Sequence, residues 1–256
     1  MPFATKIEQT ARNKRSNIVL ALDFPFEKTE NYRRLFLKAD RTLETVSPHI
    51  CAVKFNRHLI LPLGLFDGVK KLVEKTHDMG LVAIMDCKVN DIGASNQTIA
   101  QYYYSAGFDA VIANPLVGWE EGLQPVFDVA QKLQRGVILL VYMSHKGSWE
   151  GYGQMVYDAK TEEKLSQYVS FAKKAIEWGA DGVVVGATYP KKIREVHEIL
   201  NKKIPIFSPG IGAQGGEIKS ALNAGSSYLI VGRAITLSKN PEETTRNIKE
   251  QVNNYI

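Results

Sequence analysis

The chain has 256 residues, 45% of them hydrophobic and 23% charged, enough to bury a sizeable core and too apolar for disorder. Its net charge of +5 suits an anionic ligand, but lysines and arginines are scattered among acids, so nucleic-acid binding is not indicated. Two cysteines, Cys51 and Cys87, make neither a disulfide framework nor a zinc site, and no apolar run is long enough to span a membrane, so a cytoplasmic location is expected.

The amino-terminal MPFATKIEQTARNKRSN is polar and lacks the apolar centre of a signal peptide. Short β-branched runs then alternate with amphipathic stretches. The predicted strands are 17–23, 50–55, 81–88, 109–115, 137–143, 182–187, 204–210 and 227–233. The predicted helices are 28–46, 62–78, 94–106, 119–134, 160–178, 190–201, 214–224 and 240–254. Nearly continuous apolar strands, each followed by a helix, imply a parallel sheet covered on its outer faces. Gly80, Gly107, Gly179 and Gly225 each stand between a helix and the next strand, where a left-handed residue ends the helix. In 240-NPEE-243, Asn240 is the expected N-cap, with Pro241 at the first helical position.

Eight β–α units fit an α/β fold, a single-domain (β/α)8 TIM barrel over residues 1–256. A doubly wound sheet would carry its phosphate loop after the first strand, but 23-DFPFEK-28 there is not glycine-rich. One connection is unusually long. The stretch 144-SHKGSWEGYGQMVYDAK-160 mixes aromatic residues with glycines, as suits an active-site lid.

Barrel chemistry gathers at the carboxyl ends of the strands, which here offer Asp23, Lys54, Asp86, Lys88, Asn114, Ser144, Ser208 and Arg233. Asp86 and Lys88, two apart, share one face of their strand while Cys87 points to the other. With Lys54 on the neighbouring strand they form a lysine–aspartate–lysine row. At an effective dielectric near 20, opposite charges about 4 Å apart attract by roughly 4 kcal/mol, so each group stays ionised. Asp91 follows in the loop, placed to lean back or to reach a partner subunit. One such pair would be a salt bridge closing the barrel mouth; four charges from neighbouring strand ends point to function. The five histidines show no ligand spacing and the lysines already supply positive charge, so no metal is expected. No G-x-S-x-G elbow supports acyl transfer.

A second signal is 208-SPGIGAQGG-216 with 231-VGRA-234. Small residues after the seventh and eighth strands let a backbone approach phosphate oxygens, Arg233 adds a guanidinium fork, and Gln214 an amide.

Together, 22-LD-23, 53-VK-54, 86-DCKVNDI-92, 143-MSH-145, 208-SPGIGAQGG-216 and 231-VGRA-234 resemble the orotidine 5′-monophosphate decarboxylase family in its archaeal form. The resemblance implies cofactor-independent conversion of orotidine 5′-monophosphate to uridine 5′-monophosphate and carbon dioxide. It implies Lys54, Asp86, Lys88 and Asp91 as the catalytic array, with Lys88 stabilising and protonating the C6 carbanion. Asp23 would hold the ribose, Ser144 and Gln214 the pyrimidine, and Pro209, Gly232 and Arg233 would belong to the substrate site, Arg233 at the 5′-phosphate. Asp91, Ile92 and Ser95 would cross a homodimer interface, Ser95 standing where the family often has threonine. Neither Tyr152 nor Tyr157 of the lid can be matched to the phosphate from sequence. Two rivals are a magnesium-dependent sugar-phosphate decarboxylase or aldolase, whose early acidic metal ligand is replaced here by Lys54, and a catalytically silent phosphate-binding barrel.

Overall fold

The computed structural model describes residues 1–25, 31–159, 161–212 and 214–255. The first residues of predicted helix 28–46, the last of the 144–160 connection and one residue of the 208–216 loop lie outside the described residues. The first half runs α1 (Phe3–Lys14), β1 (Ile18–Ala21), α2 (Tyr32–Val46), β2 (Ala52–Asn56), α3 (Arg57–Leu63), α4 (Lys70–Asp78), β3 (Val82–Val89), α5 (Gly93–Ser105), β4 (Ala110–Ala113), α6 (Gln124–Leu133) and β5 (Gly136–Tyr142). The second half runs α7 (Ser148–Gly151), β6 (Met155–Asp158), β7 (Glu163–Ser166), α8 (Gln167–Glu177), β8 (Gly182–Val185), α9 (Pro190–Ile199), β9 (Ile206–Pro209), α10 (Ile218–Asn223), β10 (Tyr228–Val231), α11 (Arg233–Thr236) and α12 (Pro241–Asn253).

Strands β1, β2, β3, β4, β5, β8, β9 and β10 close in that order into a parallel barrel, as the apolar runs predict. Each predicted strand supplies one of them. Alternation along the strands sorts their side chains into two cores. Ile18 and Leu20, Ala83 and Met85, and Leu229 and Val231 pack outward against the helices. Val19 and Ala21, Val82 and Ile84, and Tyr228 and Ile230 fill the interior. The same parity carries Asp23, Lys54 and Asp86 into the barrel mouth.

Helix α1 is not foreseen by the sequence reading, because its polar residues dominate its composition. Its few apolar ones fall on one face: Phe3, Ile7 and Ala11 are buried and join the interior core, so α1 plugs the barrel floor. A Cβ on Gly136, at the start of β5, would collide with the Phe3 ring, so glycine there makes room for the plug. Lys6 Nζ fastens the helix to Asp109 at 2.6 Å, and the same buried carboxylate takes Arg135 at 2.7 Å and His77 at 2.9 Å.

The predicted helix 62–78 is broken by a π-turn over Gly64–Val69, which follows Pro62 inside α3. Its start moves back to Arg57, capped by the Asn56 side chain, which accepts from the His58 amide. The helix predicted over 119–134 begins only at Gln124, the start of α6; before it the backbone kinks at Glu120 and Glu121, which are not helical. The helix predicted over 160–178 begins only at Gln167; the residues before it are β7, which pairs antiparallel with β6. The 144–160 connection is therefore structured, holding α7 and the first strand of a hairpin. Asn240 caps α12 as expected, accepting from the Glu243 amide.

Candidate active site

At the carboxyl ends of the strands lies a cavity of about 480 Å³, within the range of small-molecule sites. Apolar Ile112, Leu140, Val184 and Ile230 form its base, and Asp23, Lys54, Asp86, Lys88, Ser144, Pro209, Gln214, Gly232 and Arg233 also line it. Nine of the twelve site residues expected from sequence thus meet in one place.

The charged row is a chain of close contacts. Lys54 Nζ donates to Asp86 Oδ2 at 2.7 Å, and Lys88 Nζ to Asp86 Oδ1 at 2.5 Å. Lys54 Nζ also lies 3.9 Å from Asp23 Oδ2. Burial opposes charge on Lys54, yet the carboxylates of Asp86 and Asp23 outweigh it and raise its pKa. Burial likewise opposes the charge on Asp86, but Lys54 and Lys88 prevail and hold its pKa at about 2. Counting Asp23, two lysines meet two carboxylates, so the row largely neutralises itself above the apolar base of the cavity.

The row rests on an irregularity. The β2 register ends at Asn56 opposite Asp86, while the β4 register skips from Met85 to Val89. Cys87 and Lys88 fall in this bulge, and Lys88 has φ of +51°, a left-handed conformation that a lysine adopts only under constraint.

On the opposite rim, Gly210 has φ of +101°, and a Cβ there would lie 2.9 Å from Gln214 Oε1 and 3.1 Å from Ser144 Cβ. Glycine therefore brings the Ser144 and Gln214 side chains together. The amides of Gly212, Gly215 and Gly216 donate to carbonyls within the 208–216 loop. Most of the charge available to an anion on this side is that of Arg233.

Residues 16–248 match the family described as Orotidine 5'-phosphate decarboxylase / HUMPS family. The chain belongs to this family. It is 33% identical over 235 residues to the orotidine 5′-phosphate decarboxylase of Pyrococcus abyssi, covering 92% of this chain and 98% of the relative. It is 35% identical over 220 residues to that of Methanocaldococcus jannaschii, covering 84% of this chain and 93% of the relative. The crystal structure of the latter with the inhibitor BMP superposes with a TM-score of 0.76 at 30% identity, covering 93% of this chain and 99% of the other. The archaeal resemblance read from the motifs is thereby borne out.

Three expected site residues stand apart from the cavity. Asp91 and Ile92 are exposed and Ser95 is half-buried, and none of them lines the cavity of its own chain. Their loop is nonetheless firmly built. Buried Asn96 accepts from the Asp91 amide at 3.0 Å, donates to the Asp91 carbonyl at 2.5 Å, and donates to the Gly122 carbonyl at 2.9 Å. Asp91 Oδ1 accepts from the Ile92 amide at 2.7 Å.

Of the 144–160 connection only Ser144 lines the cavity, among the described residues. Tyr152 packs beside Tyr142 and Phe171, with ring centroids 5.9 and 6.2 Å away, and Tyr157 is 60% exposed on β6. Neither tyrosine reaches the cavity in this conformation.

The sequence reading missed Asn56, whose Nδ2 donates to Asp23 Oδ1 at 2.5 Å, and His58 and Met143, which line the cavity. Asn56 stands two residues past Lys54, so strand parity carried one step further would have found it.

Proposed function

We propose that the chain decarboxylates orotidine 5′-monophosphate to uridine 5′-monophosphate without a metal or organic cofactor, in pyrimidine biosynthesis. The observation that carries this reading is the Lys54–Asp86–Lys88 row, whose central carboxylate and flanking ammoniums face one cavity. Lys54, seated between Asp86 and Asp23, already neutralises the carboxylates that a magnesium-dependent relative would use for its ion. A barrel that only bound phosphate would need Arg233 and the glycine-rich loop, and would gain nothing from a charge row on the opposite rim.

In this mechanism the bond between C6 and the carboxylate breaks, carbon dioxide leaves, and the electron pair stays on C6. The Lys88 ammonium, set opposite that carbon, stabilises the developing charge and then gives C6 its proton. Solvent reprotonates the amine. Asp86 orients Lys88 through the 2.5 Å contact and, facing the substrate carboxylate, disfavours its retention. Each roughly 1.4 kcal/mol relieved in the transition state is tenfold in rate. Asp23 and Lys54 hold the ribose hydroxyls, Ser144 and Gln214 the pyrimidine, and Arg233 the 5′-phosphate, with Pro209 and Gly232 shaping the walls. Phosphate binding, remote from the reacting carbon, supplies energy for the 144–160 lid to close.

The protein acts as a homodimer in which Asp91, Ile92 and Ser95 complete the neighbour's site. Their exposure, their rigid loop and their distance from their own cavity support this. No helix among the described residues is long and apolar enough to cross a membrane. Cys51 and Cys87 are both free and buried, which accords with a reducing cytoplasm.

The test is turnover of orotidine 5′-monophosphate by the purified protein in excess chelator, followed by absorbance. Turnover that survives chelation is expected, and Lys88→Ala should abolish it while the variant still binds uridine 5′-monophosphate. Tight nucleotide binding with no turnover in the wild type would overturn the reading.

A further inference from the structure

The Lys88 bulge raises a question that the charge row leaves open: what holds a lysine with a φ of +51° in place? A strained backbone of this kind costs about 1–3 kcal/mol and persists only where its surroundings over-determine it. Asp86 grips the Lys88 ammonium, but that contact constrains the far end of a long side chain, not the backbone.

The backbone of the bulge has lost its ordinary partners. Beyond Asp86 the β2 register has ended, and the β4 register resumes only at Val89. The Cys87 carbonyl, immediately before Lys88, would be left without a ladder partner. It instead accepts a hydrogen bond of 2.6 Å from Arg57 Nη2. Arg57 is the first residue of α3, directly after the last residue of β2, so its side chain reaches from the end of the neighbouring strand across the place where pairing stops. On the other side the Cys87 thiol sits in the outer core, where it lies 3.5 Å from the Ile112 carbonyl. The peptide joining Cys87 to Lys88 is thus held by a charged donor on one side and core packing on the other.

We infer that Arg57 is a positioning residue for Lys88: its guanidinium substitutes for the missing β-ladder bond at Cys87, holds the bulge in its left-handed form, and so aims the Lys88 ammonium. Arg57 does not line the cavity and touches no reacting atom. A hydrogen bond from a charged donor to a carbonyl is stronger than the backbone bond it replaces, which suits a site where strain must be contained. Lys88 is released from regular pairing, so its direction is set by this one peptide rather than by the sheet.

The role rests on the decarboxylase reading only where turnover is the readout, and two measurements keep the ideas separable. In Arg57→Met, which keeps the aliphatic stem and removes the donor, kcat for orotidine 5′-monophosphate should fall about ten- to a hundredfold, as for a catalytic group displaced by a fraction of an ångström. KM should change by less than about twofold, because Arg233 and Asp23 are untouched. Arg57→Lys, which restores a charged donor, should recover most of the loss. Independently of any activity, amide hydrogen exchange in Arg57→Met should rise in the peptide over 86–90 and stay at wild-type levels in the other barrel strands. If Arg57→Met does not fold, Arg57→Gln, a shorter neutral donor, takes its place in both measurements.

Wild-type-like kcat with unchanged exchange over 86–90 would overturn the inference. So would a loss accompanied by exchange rising throughout the barrel and not rescued by lysine, which would mark Arg57 as a general stabiliser. Wild-type protein that turns nothing over would instead sink the decarboxylase reading, and the exchange result would still decide whether Arg57 holds the bulge.

Discussion

Replacing Asp86 with asparagine tests whether the charge row is held by mutual neutralisation. The Asp86 side chain is 13% exposed and accepts from Lys54 at 2.7 Å and Lys88 at 2.5 Å. In Asp86→Asn the Lys54 ammonium, 6% exposed, keeps only Asp23 at 3.9 Å, and two ammoniums face each other with no charge between. Two routes bound the cost. The Asp86 carboxyl sits at about 2 against an ordinary 3.8, and at about 1.4 kcal/mol per unit its protonation alone forfeits roughly 2 kcal/mol. Removing one partner of a buried ion pair typically costs about 3–5 kcal/mol, and asparagine retains one acceptor oxygen. A loss of about 2–4 kcal/mol is expected, a large part of the roughly 5–15 kcal/mol that holds a domain together.

Urea unfolding of wild type and Asp86→Asn across pH provides the assay. The folded-state pKa of Asp86 is lowered, so its contribution is fully present above the unfolded value near 4 and is lost as pH falls through about 2. The gap between the two proteins should therefore be constant near neutrality and shrink below about pH 4. A gap under about 1 kcal/mol at neutral pH would refute the reasoning, since it would mean that the row is solvated rather than self-neutralising. A gap that does not narrow in acid would refute it equally.

Three further outcomes follow from the same geometry. Arg233→Ala should raise KM for orotidine 5′-monophosphate about ten- to a hundredfold, the worth of a charged hydrogen bond, with kcat little changed; an unchanged KM would remove Arg233 from the phosphate. Mixing inactive Asp91→Ala with inactive Lys88→Ala should restore up to about a quarter of wild-type activity, because a mixed dimer regains one intact site only if Asp91 serves the neighbour's Lys88. Activity that stays absent in demonstrably mixed dimers would place Asp91 in its own subunit's site or in none. Phe3→Ala should lower stability by about 3–5 kcal/mol in thermal or urea unfolding, the cost of emptying a buried aromatic position, and a smaller loss would show that α1 is an appendage rather than the barrel's plug.

How far the sequence reveals the fold depends on how local each determinant is. The barrel was legible because each strand carries its own apolar run and four of the turns that end a helix carry a glycine. Helix α1 was not, since only three apolar residues among polar ones commit it, and what they bind is a floor assembled from strands scattered along the whole chain. The β6–β7 hairpin escaped for a related reason: Met155–Asp158 and Glu163–Ser166 are four residues each with only Leu165 buried, so no apolar run marks them.

Lys88 is the instructive case, because alternation gave its face correctly although β3 is not the regular strand that alternation assumes. Strand alternation placed Asp86 and Lys88 on one face as if β3 were regular, and the strand is not. Between the pairs Met85–Val111 and Val89–Ala113, β3 advances four residues while β4 advances two. An excess of one residue would have turned every later side chain to the opposite face. An excess of two preserves parity, so Cys87 and Val89 stay in the outer core while Lys88 still points into the mouth. What parity could not carry was the φ of Lys88, which depends on a ladder that stops and on Arg57, thirty-one residues away, to replace it. The face of Lys88 is written in its own strand; the angle at which it is aimed is written in the neighbour.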